Sequence, residues 1–243
     1  MPHFGAIVDR VIKKSDIVLE ILDARFIDET RNKKIERKIK ILIHVINKCD
    51  FVEKSYMDEV KKTLENCVFV SAKKHHGTTL LKQKIKTLAN KNKIKKPMVG
   101  VIGYPNVGKS SVINALKGKS SAKTSPEAGY TRAEQYLNVD NDFLMIDTPG
   151  VISKENSNEI ELVLIGAKNP FTIEDPDLAV IKLIKSHYGL IENNYGVKVK
   201  SDKEKTIEDI ALKLNLKKKG NLPDIDRTSR RILQDWLNGK IKF

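Results

Sequence analysis

The sequence predicts an α/β protein, a mostly parallel sheet with helices on both faces, followed by a small all-α domain. Three observations carry that expectation. Short apolar, β-branched runs alternate with helical patterns through the first two thirds of the chain. A glycine-rich G-x-x-x-x-G-K-S stretch lies between one such run and a helical pattern. Beyond residue 157 only helical patterns remain. The boundary implied falls between an α/β domain over 1–167 and a helical domain over 168–243.

Residues 16–22 (DIVLEIL) are apolar and β-branched and read as a buried parallel strand ending at Asp23-Ala24-Arg25. Residues 31–38 are polar and read as helical, and 40–46 (KILIHVI) form a second strand running into Asn47-Lys48-Cys49-Asp50. A helix over 55–66 leads to a short strand at 67–70 and then Ser71-Ala72-Lys73. Residues 77–89 place Leu80, Leu81, Ile85 and Leu88 on one helical stripe. The lysine-rich stretch 90–97 reads as a linker. A strand at 98–102 enters the glycine-rich loop, and a helix to residue 117 leaves it. Residues 118–130 hold Gly, Ser, Thr and Pro and read as a long flexible loop. Residues 134–139 and 142–146 pair as a hairpin across Asp140-Asn141, and helices are expected over 157–167, 176–187, 204–214 and 225–238.

The chain has 243 residues, 40 % of them hydrophobic, enough to bury a core and to exclude a disordered tail. Two cysteines, Cys49 and Cys67, exclude a disulfide framework and a four-cysteine zinc site. No apolar run approaches the roughly 18 residues of a membrane span, and no apolar signal core follows the N-terminus, so a cytoplasmic protein without a membrane partner is expected. The net charge of +14 is unevenly placed. Residues 1–96 hold 23 Lys+Arg and 12 Asp+Glu, residues 97–168 hold 7 and 8, and residues 169–243 hold 15 and 11. Basic ends around a near-neutral middle suit a polyanionic partner, or a lysine-rich background that merely solvates helix faces.

Gly103-Tyr104-Pro105-Asn106-Val107-Gly108-Lys109-Ser110 has the phosphate-loop pattern. Its glycines let backbone N–H groups converge on phosphate oxygens, Lys109 reaches the β/γ-phosphates, and Ser110 binds Mg²⁺. Asp147-Thr148-Pro149-Gly150 lies 38 residues beyond Lys109 at the end of an apolar strand. An aspartate there helps hold Mg²⁺, and the Gly150 N–H can meet the γ-phosphate. Thr131, between the two motifs, can bring a hydroxyl to the metal, in competition with Ser120, Ser121, Thr124 and Ser125. The carboxylate of Asp50 can accept two hydrogen bonds from guanine, and adenine offers no such donor pair. The Lys48 stem packs on a purine face, Asn47 ties this loop to the phosphate loop, and Ser71-Ala72-Lys73 offers a backbone N–H to the guanine carbonyl. This reading commits Asn47, Lys48, Asp50, Ser71, Ala72, Lys73, Asn106, Val107, Gly108, Lys109, Ser110, Ser111 and Gly150 to GTP or GDP. It places Ser110, Thr131 and Asp147 on the metal, and Lys109, Thr131 and Gly150 at the reacting phosphate.

The order N-K-x-D, S-A-K, phosphate loop, switch loop, D-x-x-G departs from the usual one, in which the phosphate loop comes first. No second [NT]-K-x-D follows Gly150, so the order is circularly permuted. The expected fold is therefore a circularly permuted phosphate-loop GTPase domain followed by a small all-α domain. Such a permutation is physically acceptable where the original ends lie close together.

The permuted order, Gly103–Ser111, Asp23-Ala24-Arg25 and the ending Arg231-Ile232-Leu233-Gln234-Asp235-Trp236-Leu237-Asn238-Gly239-Lys240-Ile241 resemble the YlqF/RbgA-type ribosome-assembly GTPases over nearly the whole chain. The resemblance implies GTP hydrolysis linked to maturation of the large ribosomal subunit, with the C-terminal helices contacting RNA. Val151 stands where many GTPases place a water-orienting glutamine, which implies slow intrinsic turnover accelerated by the ribosomal precursor. The alternative is a nucleotide-gated RNA- or protein-binding module with negligible hydrolysis. Asn106 resembles an asparagine that coordinates K⁺ in related GTPases, or else it stabilises the loop. His3 is the upstream candidate for an activating histidine, with a disordered terminal residue as the competing reading. The protein is expected to be a monomer away from the ribosome.

Two basic segments suit ribosomal RNA. Lys82, Lys84, Lys86, Lys91, Lys93, Lys95 and Lys96 contain no acid among them, and Lys217–Lys219 lie near Arg227, Arg230 and Arg231, which share a helix face. Trp236 can stack a base, although a lone Trp on such a helix is more often core.

Overall fold

At the centre of the first structural unit lies β1 (Ile17–Asp23), all seven of its residues buried. It is flanked on both sides by parallel neighbours, which is why its sequence reads as a nearly unbroken apolar run. The computed structural model describes residues 4–117, 135–139, 142–147 and 158–241. They fall into two units, Met1–Glu155 and Asn156–Phe243, parted ahead of the 167/168 boundary drawn from sequence.

In chain order the first unit holds α1 (Phe4–Lys14), β1, the single turns α2 (Ile27–Thr30) and α3 (Lys33–Glu36), and β2 (Leu42–Asn47). These are followed by α4 (Lys54–Thr63), β3 (Cys67–Phe69), α5 (Thr78–Lys91), β4 (Met98–Ile102), α6 (Lys109–Lys117), β5 (Gln135–Val139) and β6 (Phe143–Asp147). The six strands lie in the order β3-β2-β1-β4-β6-β5, all parallel except β5, which runs antiparallel to β6 as the expected hairpin.

Side-chain alternation sorts the core onto two faces. Ile17, Leu19 and Ile21 of β1 join Val99, Val101, Leu81, Ile85, Ile113 and Leu116, burying the apolar stripes of α5 and α6. Val18, Ile102 and Ile146 point the other way, onto Val8 and Val11 of α1, while Leu22 and Ile46 meet Val60 and Leu64 of α4. Helix α1 was not expected from the sequence. Its apolar residues are interleaved with Asp9, Arg10, Lys13 and Lys14, and Val8 and Val11, one turn apart, seal the sheet beside Gly100, where a Cβ would collide with Ser15 and Val11. Of the helix expected over 31–38 only the single turn α3 forms, capped by Asn32, whose Oδ1 accepts the Ile35 N–H at 3.2 Å, and the turn α2 ahead of it was not expected from the sequence. Ile94, in the stretch expected to be a free linker, packs against the core.

The second unit is all helical: α7 (Glu159–Leu164), α8 (Pro176–Ser186), α9 (Leu190–Tyr195), α10 (Lys203–Lys213) and α11 (Ile225–Leu237). Asn158, Asp202 and Asp224 cap α7, α10 and α11 through their side-chain oxygens. Val180, Leu183 and Ile184 of α8 are buried, as are Ile207 and Ile210 of α10 and Ile232, Leu233 and Trp236 of α11. Trp236 belongs to this core, its Nε1–H donating to the Leu164 carbonyl at 3.1 Å. No helix among the described residues is long and apolar enough to cross a membrane.

Candidate functional site

The carboxyl ends of the parallel strands carry the motifs. β2 ends at Asn47, β3 runs into Ser71-Ala72-Lys73, β4 runs into the phosphate loop, and β6 ends at Asp147. In an open α/β sheet this edge is where ligands bind.

Asn47 joins three of these segments. It is buried; its Nδ2–H donates to the Val107 carbonyl of the phosphate loop at 2.9 Å, and its Oδ1 accepts the Ala72 N–H at 3.2 Å. The link spans 60 residues of sequence in one direction and 25 in the other. Gly108 is required where it stands: its φ is +98°, and an added Cβ would collide with the Asn47 amide. Asn106 (φ 61°) and Lys48 (φ 60°) hold left-handed conformations that cost non-glycine residues energy and cluster at functional loops.

Ser71 is buried and its hydroxyl donates to Asp50 Oδ1 at 2.7 Å, while Lys74 Nζ lies 3.6 Å from Asp50 Oδ2. The serine therefore orients the carboxylate that the sequence assigned to the base. Lys73 is exposed. Lys109 is buried, its ammonium donating to the Gly103 and Tyr104 carbonyls at 3.0 and 2.7 Å, and Ser110 and Ser111 are half-buried in the first turn of α6. A charged lysine inside a glycine-rich loop, at the N-terminal end of a helix, fits a phosphate chain, and Ser110 next to it fits a phosphate-bound Mg²⁺. Asp147 is placed by its backbone, opposite Gln135 at the end of β6. Thr131, Gly150, Val151 and His3 lie outside the described residues.

One pair of residues was underused in the sequence reading. Asp23, at the end of β1, is wholly buried and accepts from Arg25 Nε and Nη2 at 2.9 and 2.8 Å and from Lys48 Nζ at 2.8 Å. Burial alone would raise its pKa, but the Arg25 and Lys48 bonds and charges overcome that and hold it at about 2, against the ordinary 3.8. Asp23 thus anchors the lysine of N-K-x-D by its ammonium head. The signal was a D-A-R at the end of an apolar strand. Cys49 is free and burial pushes its thiol pKa up, against a role as a reactive thiolate.

The basic segments differ in what their charges do. Lys86, Lys91, Lys93, Lys95 and Lys96 are exposed, with Lys86 paired to Asp142 at 2.8 Å. In the helical unit Arg230 binds Asp226 and donates to the Pro170 and Ile173 carbonyls at 2.7 and 3.2 Å, and Arg231 donates to Asp235 at 2.8 Å. Two of the three arginines expected to form one basic face are therefore engaged within the helical unit.

Residues 98–216 match the family described as 50S ribosome-binding GTPase. An uncharacterized GTP-binding protein of Methanocaldococcus jannaschii is 37 % identical over 98 % of this chain and 65 % of its own length. Nucleolar GTP-binding protein 2 is 33 % identical in Neurospora crassa and 31 % in Saccharomyces cerevisiae, each over 96 % of this chain, which spans 40 and 51 % of those proteins. Among solved structures, GNP-bound YlqF from T. maritima shares the fold with a TM-score of 0.71 and 23 % identity, over 98 % of this chain and 95 % of that one. The chain thus shares the fold of YlqF, with its motifs in circularly permuted order and a helical unit following the sheet.

Proposed function

We propose that the protein binds GTP with Mg²⁺, hydrolyses it, and acts in assembly of the large ribosomal subunit, with hydrolysis stimulated by the ribosomal particle. The observation that carries the nucleotide part is the Asn47 side chain, bonded to Val107 of the phosphate loop and Ala72 of the S-A-K loop. It supports one base-and-phosphate site despite the permuted order. In this reading Asp50 accepts the guanine N–H donors, the Lys48 stem covers the base, and the Ala72 region meets the guanine carbonyl. Gly108, Lys109, Ser110 and Ser111 hold the phosphates. Mg²⁺, held by Ser110 with Asp147 and Thr131, would neutralise charge on the β/γ-phosphates. Lys109, Thr131 and Gly150 surround the reacting phosphate, and Asn106 can add a K⁺ ion.

The ribosomal part is supported by the matched family's description, by the nucleolar relatives and by the exposed lysines 86–96. RNA contact is assigned to the helical unit and to those lysines, with the protein monomeric away from the ribosome. Single-turnover GTP hydrolysis with and without large subunits tests the reading. Acceleration by the large subunit is expected, and negligible hydrolysis in both arms would leave a nucleotide-gated binding module instead. Asp50→Ala should weaken GTP binding about a hundredfold, the loss of charge-assisted bonds to the base, as read by equilibrium titration against ATP as control. Replacing K⁺ by Na⁺ should slow turnover; an unchanged rate removes the potassium assignment.

A further inference from the structure

Behind the phosphate loop, two apolar strands are each interrupted by one ionisable residue, and the sheet register sets these two side by side. Glu20 of β1 pairs with His44 of β2 and, on its other side, with Ile102, which leads into Gly103. Glu20 is 1 % and His44 7 % exposed. Glu36 from α3 completes the group: His44 Nε2 lies 3.5 Å from Glu20 Oε2 and 3.7 Å from Glu36 Oε2, and one donor atom from each residue lies within 4.8 Å of the others.

The outer contacts leave Glu20 Oε2 and His44 Nε2 aimed inward, with Glu36 Oε2 beside them. Glu20 Oε1 accepts the Asn32 N–H at 2.9 Å, while Oε2 has no hydrogen-bond partner. His44 Nδ1 faces the Glu65 carbonyl at 3.4 Å. A carbonyl can only accept, so Nδ1 carries the proton and Nε2 presents its lone pair, also without a partner. Glu36 is gripped by the Arg31 fork at 2.9 and 2.8 Å. A buried lone pair set against a carboxyl oxygen is repulsive unless a proton or a metal ion lies between them. Two donors on a tetrahedral zinc with 2.0–2.1 Å bonds stand about 3.4 Å apart, close to both separations found here. A histidine oriented by a backbone carbonyl and carboxylates held by outer hydrogen bonds are the supporting contacts of metal ligands. A small cleft lined by Glu20, Thr30, Asn32, Gly103 and Tyr104 reaches the Glu20 member of the group.

We propose that Glu20, Glu36 and His44 form a binding site for a divalent transition metal of the zinc class, three protein ligands with a fourth position for water. The site is separate from the Mg²⁺ expected at Ser110 and independent of the nucleotide reading. Nδ1-protonated His44 and the two carboxylates supply borderline nitrogen and hard oxygen donors, a set that suits Zn²⁺ or Co²⁺ better than Mg²⁺.

The full chain, stripped with chelator and dialysed against Zn²⁺ with excess Mg²⁺, tests this by elemental analysis and calorimetric titration. One Zn²⁺ per chain is expected after desalting, and Co²⁺ in its place should give the intense visible absorption of a tetrahedral centre. Glu36→Gln, on a half-buried single turn, and His44→Gln should each weaken Zn²⁺ binding roughly a hundredfold with an unchanged circular dichroism spectrum. Replacing the exposed His75 and His76 by alanine should change nothing. Zn²⁺ binding that survives Glu36→Gln, or that disappears with His75 and His76, would overturn the proposal, as would a weak octahedral Co²⁺ spectrum.

Discussion

Two carboxylates three residues apart on the same buried strand have opposite fates. Asp23, beside the base loop, is surrounded by Arg25 and Lys48 and stays ionised down to about pH 2. Glu20, behind the phosphate loop, shares its burial but has another carboxylate, Glu36, for a neighbour. Burial first, opposed by the Asn32 N–H and reinforced by the Glu36 charge, drives its pKa to about 8. Burial raises both values, and it prevails at Glu20 but is overcome at Asp23. What decides is whether positive charge comes into the low-dielectric space with the carboxylate. At Asp23 it comes from the chain itself, and the result fixes the N-K-x-D lysine. At Glu20 the chain supplies an imidazole and a second acid, and the nearby Arg31 is spent on that second acid, so less positive charge reaches Glu20 than reaches Asp23.

The largest break in this contrast should come from Arg25→Ala. It removes the bidentate partner of a wholly buried charge and should cost about 3 kcal/mol or more of stability, read from the urea midpoint. A loss within the error of wild type would mean that Lys48 alone satisfies Asp23. The pH dependence follows with a definite sign. Asp23 has a folded pKa below its ordinary value, so its stabilising contribution is complete above about pH 4 and is lost as pH falls through about 2. Acid titration of stability should show a component of about 2 kcal/mol in that window, absent in Asp23→Asn. Asn47→Ala should cost about 2 kcal/mol by orphaning the Val107 carbonyl and the Ala72 N–H. It should also loosen the register between base and phosphate loops, weakening GTP more than it weakens inorganic phosphate. The smallest effect is expected for Glu20→Gln in chelator-treated protein, within about 1 kcal/mol in either direction, because a buried carboxylate with an unpartnered oxygen is replaced by an isosteric neutral group. A loss as large as that of Arg25→Ala would erase the difference between the two sites.

The two basic regions teach a similar lesson. Arg230 and Arg231 look equivalent to the lysines of 82–96 in composition and spacing. In the folded helical unit Arg230 holds two carbonyls and an acid, and Arg231 holds Asp235. Most of the lysines beyond residue 84 remain exposed.

Much of the sheet was legible because a strand buried between parallel neighbours is predominantly apolar, and β1, β2 and β4 are such runs. Helix α1 was not, since among its described side chains the buried ones are Val8 and Val11, with Asp9, Arg10, Lys13 and Lys14 interleaved. The helix expected over 31–38 shrinks to the single turn α3, because a polar stretch carries no apolar periodicity that fixes its ends. For the site, motif spacing placed Asn47, Asp50, Ser71 and Gly103–Ser111 at strand ends, since each motif is a local stretch of backbone with its own conformational demands. The metal group was visible only as a lone Glu in DIVLEIL and a lone His in KILIHVI, neither meaningful by itself.

By itself the sequence determined the permuted order of the motifs, the chemistry each local loop can perform and the division into a parallel sheet followed by helices. These depend on residue type and on spacings of a few positions, which local sterics and burial translate directly. Only the tertiary structure decided which side chains meet across tens of residues: Asn47 with Val107, Lys48 with Asp23, Glu20 with His44 and Glu36. Strand order and register set those meetings, and they arise from packing the whole core at once. The charge state of a buried acid depends on those neighbours, so it could be known only after they were.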